Sequence, residues 1–244
     1  MIDLHCHILP GIDDGSPDLG VSLDMARIAV ADGITAVACT PHILPGVYNN
    51  SGAKIQRGLT TLNDALARER IPLRLVIGAD AHMAPDLIAG LTSGHVPTIA
   101  GSRYFLLEPP HHVAPPNLDV FAFNLMTVGF VPILTHPERL SWIEGHFDLI
   151  RRLSEAGVLM QITAGSVLGR FGRRALYWAE RMLDDGLVDI MATDAHHSRR
   201  RTPRMARARD IVASLAGNET AVRTVAILPQ RILQNVLPSE LRQP

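Results

Sequence analysis

The chain reads as an α/β protein whose parallel strands are covered on both faces, arranged as a barrel or a doubly wound sheet. Short apolar runs alternate regularly with longer amphipathic ones along the 244 residues. Most of the short runs are continuously apolar instead of alternating in and out, as strands buried on both faces are. Gly/Pro-rich loops follow directly after strands, at 9–17, 41–52 and 108–116. No internal repeat, low-complexity tract or linker breaks the pattern, so a single domain over residues 1–244 is expected.

The strand-like runs are, in order, 2–6 (IDLHC), 36–40 (AVACT), 73–79 (LRLVIGA), 104–107 (YFLL), 131–135 (VPILT), 158–163 (VLMQIT) and 189–193 (DIMAT). Amphipathic helical patterns lie between or after them at 19–32, 53–70, 118–128, 147–156, 173–185 and 203–216. Asp32-Gly33, Ala156-Gly157 and Asp185-Gly186 mark helix ends, where glycine takes the left-handed cap conformation. The last stretch, 222–241, is also amphipathic and suits either covering the barrel or contacting another subunit.

Composition narrows the class further. Hydrophobic residues make up 47% and charged residues 19%, which fits a packed core and not a disordered chain. A formal net charge of −1, from 23 Lys+Arg and 24 Asp+Glu, supplies no general drive toward nucleic acid or membranes. The basic residues are nearly all arginine, and several cluster at 199–209, which keeps a local anion site open. Cys6 and Cys39 each lie in a buried-strand pattern and are expected as free core thiols. The opening MIDLHCHILPG lacks a basic segment followed by a long apolar one, and no apolar run is long enough to span a bilayer. The expected location is the cytoplasm, with no membrane insertion.

The informative pattern is where histidine, aspartate and glutamate fall. His5 and His7 flank the end of the first strand, two apart, so alternation aims both at one face. His42 follows the second strand, Asp80 the third, Glu108 the fourth and His136 the fifth, while Asp194 and His196 follow the last. The sixth strand end offers only Thr163 and Ser166. Carboxyl ends of strands form the active face of α/β barrels. Any one of these histidines alone would more often be a satisfied hydrogen-bonding residue than a ligand. So many imidazoles and carboxylates at one end of successive strands are not independent accidents.

Imidazole with carboxylate suits Zn²⁺, Mn²⁺ or Fe²⁺ more than Mg²⁺. The donors outnumber the three or four that one ion takes, which points to a multinuclear centre. Such centres make hydroxide near neutral pH and clamp both oxygens in phosphoryl displacement. Other chemistries lack their motifs. Neither cysteine is followed six positions on by arginine, since Ile12 and Pro45 stand there, and no G-x-S-x-G, P-loop or G-x-G-x-x-G occurs.

The opening DLHCHILPGIDDGS, TPH at 40–42, GAD at 78–80, LLEPP at 106–110, THPER at 135–139 and TDAHHSRRRTPRM at 193–205 resemble the polymerase-and-histidinol-phosphatase (PHP) superfamily. Within it, the chain is most similar to the CpsB/YwqE-type bacterial protein-tyrosine phosphatases of capsule and exopolysaccharide systems. The resemblance implies a distorted (β/α)₇ TIM-like barrel with two to three divalent ions, manganese foremost, iron or zinc as alternatives. It assigns one ion to His5, His7, Asp80 and Asp194, a second to Asp80, Glu108 and His136, and a third to Asp14, His42 and His196. Arg139 and Arg201 are implied as phosphate-binding residues; for proton transfer to the leaving phenolate the sequence offers Asp14 or a nearby histidine such as His42 and does not choose between them. The implied partner is the phosphotyrosine tail of a bacterial tyrosine kinase. The chain departs from the family pattern at Asp80, where a glutamate is expected. A shorter carboxylate bridges only if the strand end sits closer or a water intervenes.

The expected activity is therefore hydrolysis of phosphotyrosine on protein. Alternatives on the same scaffold are a small-molecule phosphatase such as one for histidinol phosphate, or a nuclease-like phosphodiesterase, and of another class a metal-binding regulatory module without turnover. His82 is read as a solvated loop histidine in preference to an extra ligand or a substrate contact, and His111, His112 and His197 as residues of the rim or supporting the ligands. No role is assigned to His95 or His146.

Overall fold

In the computed structural model, residues 1–241 of the chain are described. The strands are β1 (Ile2–Cys6), β2 (Ala36–Cys39), β3 (His42–Ile43), β4 (Arg74–Ile77), β5 (Asp80–His82), β6 (Tyr104–Glu108), β7 (Val131–Thr135), β8 (Leu159–Thr163) and β9 (Ile190–Ala192). They form one sheet of order β1-β2-β4 and another of order β3-β5-β6-β7-β8-β9, with every strand pair parallel. The two sheets are one barrel wall. β3 prolongs β2 beyond Thr40-Pro41 and β5 prolongs β4 beyond Gly78-Ala79, so the seven expected strands appear with the second and third interrupted. Pro41 has no N–H for the ladder, which accounts for one break. Closure comes where β1 meets the end of β9: Asp194 N–H donates to His5 O at 2.8 Å and His7 N–H to Ala195 O at 2.8 Å.

The long helices follow the sequence signals. α1 (Leu19–Ala31) begins at Asp18, whose carboxylate accepts the Val21 N–H, and α2 (Gly52–Arg68) begins at Ser51. Elements that escaped the sequence reading include α3 (Leu87–Ser93) and the four-residue α6 (Ala164–Val167), which lies after α4 (Leu118–Thr127) and α5 (Phe147–Glu155). Gly157, at φ +105°, ends α5 as expected, since a side chain there would be strained. α7 (Gly172–Asp184) falls where expected. The helix expected from 203 is α8 (Ala206–Ala216), shorter by three residues at its start. The Asp32 carboxylate there accepts the Met205 and Ala206 N–H groups at 2.7 and 2.9 Å, fixing the start beyond Pro203.

The C-terminal segment covers the barrel floor. Its helices α9 (Asn218–Val222) and α10 (Leu228–Leu233) are joined by a π-turn at Arg223–Ile227. Leu228 and Ile232 pack onto an inner cluster that includes Leu4, Ala38, Leu106, Ile133, Leu159 and Ile190. The outer faces of the strands, including Val37, Phe105, Leu134, Met160 and Met191, pack in a second cluster that takes in the surrounding helices. Cys6 and Cys39 are buried free thiols in that outer cluster, as expected.

One irregularity sets the site. Ile2 pairs with Ala36 and Asp3 with Val37, but Cys6 pairs with Cys39, so three steps along β1 match two along β2. The extra residue is a bulge, which shifts the side-chain phase. Ile2 and Leu4 belong to the inner cluster and Cys6 to the outer one. Past the bulge, His5 and His7 are turned inward; without it they would share the outward face with Asp3.

Candidate metal centre

All nine residues read as ligands meet at the carboxyl ends of the strands. His5 and His7 come from the end of β1, His42 opens β3, Asp80 opens β5 and Glu108 ends β6, while His136 follows β7 and Asp194 and His196 follow β9. Asp14 reaches in from the loop after β1. His5 Nε2 lies 3.2 Å from His7 Nε2, 3.4 Å from Asp80 Oδ2 and 3.4 Å from Asp194 Oδ1. His42 Nδ1 lies 3.2 Å from Asp80 Oδ2 and 3.3 Å from Glu108 Oε2. Asp14 Oδ1 stands 3.5 Å from His42 Nε2 and 3.6 Å from His196 Nε2, and Glu108 Oε1 stands 3.5 Å from His136 Nε2. Asp80 is thus long enough to face both His5 and His42.

The donor set fits divalent cations on two counts. His5 Nδ1 is 2.8 Å from Gln161 Oε1 and His7 Nδ1 is 2.7 Å from Asp13 Oδ2, so both rings carry their proton on Nδ1 when neutral. Their Nε2 lone pairs then face each other at 3.2 Å, an arrangement that a shared cation relieves and a hydrogen bond does not. Second, Asp80 Oδ1 and His136 Nδ1 are buried without a hydrogen-bond partner, and Asp80 Oδ2 and His42 Nδ1 face each other at 3.2 Å without forming one. Leaving a buried polar group unpaired costs about 1–3 kcal/mol, so several at one point indicate a site shaped for an ion. Four-donor geometry (His7, Asp14, His42, His196) and three-donor geometry (His5, His7, Asp80; His5, His136, Asp194) both occur, each with its ligand atoms within 4.8 Å of one another.

Electrostatics agree with this. Burial alone would lower the His5 pKa, but the Asp194 and Asp80 carboxylates outweigh it and raise it to about 9. His42 is likewise pushed down by burial and up more strongly by Asp80 and Glu108, reaching about 11. At His196 burial and the neighbouring His7 lower the pKa to about 2. Burial would raise Asp194, yet His5, His7, Arg201 and Arg139 hold it well below the usual carboxylate range. The cluster is a pool of negative charge in which protons occupy the places that cations suit.

Beside it stand the two arginines. Arg139, at the end of the 3₁₀ turn Pro137–Arg139, and Arg201 both donate to Asp194 Oδ2. Their guanidinium carbons lie 4.3 Å and 5.7 Å from the centre of one ring, Phe171. Residue 165 must be glycine for this, because a Cβ there would come within 2.6 Å of that ring. The turn is fastened by buried Glu138, which accepts the Thr163 N–H at 2.9 Å and the Ser166 hydroxyl at 2.7 Å. His136 and Asp194 hold φ of +37° and +49°, a left-handed backbone costing about 1–3 kcal/mol, as occurs at functional sites.

The structure corrects one reading and adds four residues. His82 is not a solvated loop residue: β5 carries it onto the same face as Asp80, and its Nε2 contacts Glu108 Oε2. His111, read as rim, has Nε2 3.6 Å from Glu108 Oε1, whereas His112 is exposed and His197 accepts the Arg199 N–H at 3.0 Å. His95 is exposed, and His146 pairs with the Trp142 carbonyl. Asp13, Gln161, Glu138 and Phe171 were missed. Two had a signal: Gln161 stands an even number of positions beyond inward Leu159, and Asp13 adjoins Asp14. Nothing local marks Phe171.

Fold and donor set together define the class, an α/β barrel with a metal-type centre at its strand ends. The chain belongs to the capsular polysaccharide synthesis CpsB/CapC family, whose model matches residues 1–234. It is similar to the tyrosine-protein phosphatase YwqE of Bacillus subtilis (strain 168), with 35% identity over 201 residues, 82% of this chain and 79% of the relative. It is similar to the tyrosine-protein phosphatase CpsB of Streptococcus pneumoniae, with 26% identity over 242 residues, 97% of this chain and 100% of the relative. One of the crystal structures of YwqE and CpsB, metal-dependent tyrosine phosphatases, superposes with a TM-score of 0.92 at 32% identity, covering 96% of this chain and 95% of that one. A histidinol phosphate phosphatase from Lactococcus lactis superposes with a TM-score of 0.56 at 12% identity over 90% of this chain and 93% of that one, a likeness of fold alone.

Proposed function

We propose that this protein is a metal-dependent phosphomonoesterase that hydrolyses phosphotyrosine on protein. The observation that carries the reading is the pair Arg139 and Arg201, both donating to Asp194 at the edge of the donor cluster. A structural metal site has no use for two guanidiniums at its mouth. The likeness to tyrosine phosphatases over most of the chain supports the substrate class.

The centre is proposed to take two to three divalent ions, with manganese favoured and iron or zinc as alternatives. His5, His7, Asp80 and Asp194 would hold one, Asp80, Glu108 and His136 another, and Asp14, His42 and His196 the third. His82 and His111, both beside Glu108, are candidate additional donors. Bound there, the ions supply Lewis acidity and hydroxide near neutral pH. The chain's own residues do the rest. A guanidinium has five N–H donors, and Arg139 and Arg201 each give one to Asp194, leaving others for the phosphoryl oxygens. Phe171 keeps both arginine planes fixed, so little is lost in ordering them when the phosphoester arrives. With only two ions bound and the third position empty, Asp14, half exposed and beside His42, would pass to the leaving oxygen the proton taken from the attacking water, with His42 the alternative. A phenol has a pKa of about 10, so a tyrosyl group leaves with less assistance than an alkoxide.

The tail of a bacterial tyrosine kinase of capsule or exopolysaccharide synthesis is the proposed partner, met in the cytoplasm. No described helix is long and apolar enough to cross a membrane. Turnover of a phosphotyrosyl peptide, histidinol phosphate and a phosphodiester is the test, with metal content measured on the same sample. Preference for the peptide, abolished by chelator and restored by Mn²⁺, is expected. Preference for either other substrate would replace the substrate class and keep the centre.

A further inference from the structure

A second arginine cluster lies behind the first. Arg170, Arg200, Arg201 and Arg204 line a cavity of about 140 Å³ together with Phe171 and two threonines. No aspartate, glutamate or histidine lines it. Arg201 and Phe171 belong to both the cavity and the phosphate-facing pair, so cavity and donor cluster share one wall.

Several cations elsewhere on the surface carry their own counter-ion. Arg27, Arg151, Arg181 and Arg209 each pair with a carboxylate within 3.3 Å. Among the described residues, Arg170, Arg200 and Arg204 have no ion pair, and Arg201 Nε is buried without a hydrogen-bond partner. Of the four, Arg201 has a carboxylate partner, Asp194. The other three gather beside it without one, so their like charges repel and an anionic ligand relieves that repulsion. Guanidinium forks match carboxylate and phosphate oxygens, and the volume suits one such group. The backbone holds the loop in place: His196 and His197 N–H both donate to the Arg201 carbonyl, at 2.9 and 3.1 Å.

We propose that this cavity is an anion subsite for a negatively charged side chain flanking the phosphotyrosine, a carboxylate or a second phosphate. The proposal rests on the phosphotyrosine reading above and deepens it from a bare phosphoester to an acidic sequence context. An extended chain advances about 3.5 Å per residue, and Arg201 spans the distance between the two sites, so the second anion belongs roughly one to three residues from the tyrosine.

The test compares phosphotyrosyl peptides flanked by Glu, by Gln or by phosphoserine, on the wild-type protein and on the triple variant R170Q/R200Q/R204Q. The three substituted residues are exposed, and none is among the residues assigned to the reaction. In the wild type, kcat/KM is expected to be about tenfold higher for an anionic flank than for Gln, carried by KM and weakening with salt. In the triple variant the preference is expected to fall below about twofold, with p-nitrophenyl phosphate turnover unchanged. A Glu advantage equal to that of phosphoserine identifies a carboxylate ligand, and a phosphoserine advantage alone identifies a phosphate. Equal kcat/KM for all three peptides, or a preference that survives in the variant, overturns the subsite and leaves the phosphatase reading standing. No turnover of p-nitrophenyl phosphate by wild-type protein overturns both.

Discussion

The two halves of the barrel interior are built from the same strands and obey opposite rules. In the lower half, Leu4, Ala38, Leu106, Ile133, Leu159 and Ile190 form an apolar cluster closed from below by α10. One or two pleats further along the same strands, the inward positions hold His5, Glu108, Gln161 and Asp194, buried and charged or polar. Burial in the lower half stabilises the fold through area removed from water, about 2–3 kcal/mol for a fully buried leucine such as Leu106. Burial in the upper half opposes it through desolvation of His5, Glu108 and Asp194, and neighbouring opposite charges offset that cost. The difference teaches that the floor holds the barrel together through area removed from water, and the roof through opposite charges set against the cost of burying them.

That division can be broken most sharply at Asp194. Asp194→Asn removes a carboxylate shared by His5, His7, Arg139 and Arg201, and a loss of turnover of about 10³-fold or more is expected. The melting temperature of chelator-treated protein should fall as well, because Arg139 and Arg201 lose the buried carboxylate they share. An unchanged melting temperature there would mean that Asp194 does not hold the two guanidiniums in the metal-free protein. The converse change is Leu106→Ala. It should cost about 2–5 kcal/mol in denaturant unfolding while kcat of the folded fraction stays near wild type. An unchanged midpoint would contradict the assignment of the floor. Gln161→Leu sharpens the boundary between the halves. It removes the acceptor on His5 Nδ1, and metal affinity should weaken about 10–100-fold, with turnover recovered at saturating Mn²⁺.

Much of this layout was legible in the chain, for reasons that differ by residue. His42, Glu108, His136 and Asp194 follow continuous apolar runs, and a parallel strand delivers its last residue to the same end of the barrel each time. The pleat itself was less legible. Counting by twos from Leu4 puts His5 on the outer face, and only the pairing of Cys6 with Cys39 reveals the bulge that turns it inward. His82 was misplaced because the third strand reads as ending at Ala79. In the structure the strand resumes at Asp80, and alternation then brings His82 to Glu108. Asp13 was passed over for its neighbour: the buried carboxylate orients His7 from behind, while half-exposed Asp14 faces His42 and His196. Phe171 and the arginine cavity depend on α6, β9 and the loop after it meeting in space, and no short-range pattern encodes that.

The central claim is that the upper half of the barrel is a multinuclear metal site. Metal content per chain, measured on purified protein beside His5→Ala and Asp80→Ala, tests it most directly. The account predicts two to three transition-metal ions per wild-type chain, a loss of at least one in each variant, and turnover that tracks occupancy. A wild-type protein without tightly held metal, or variants that keep the full complement, would contradict it.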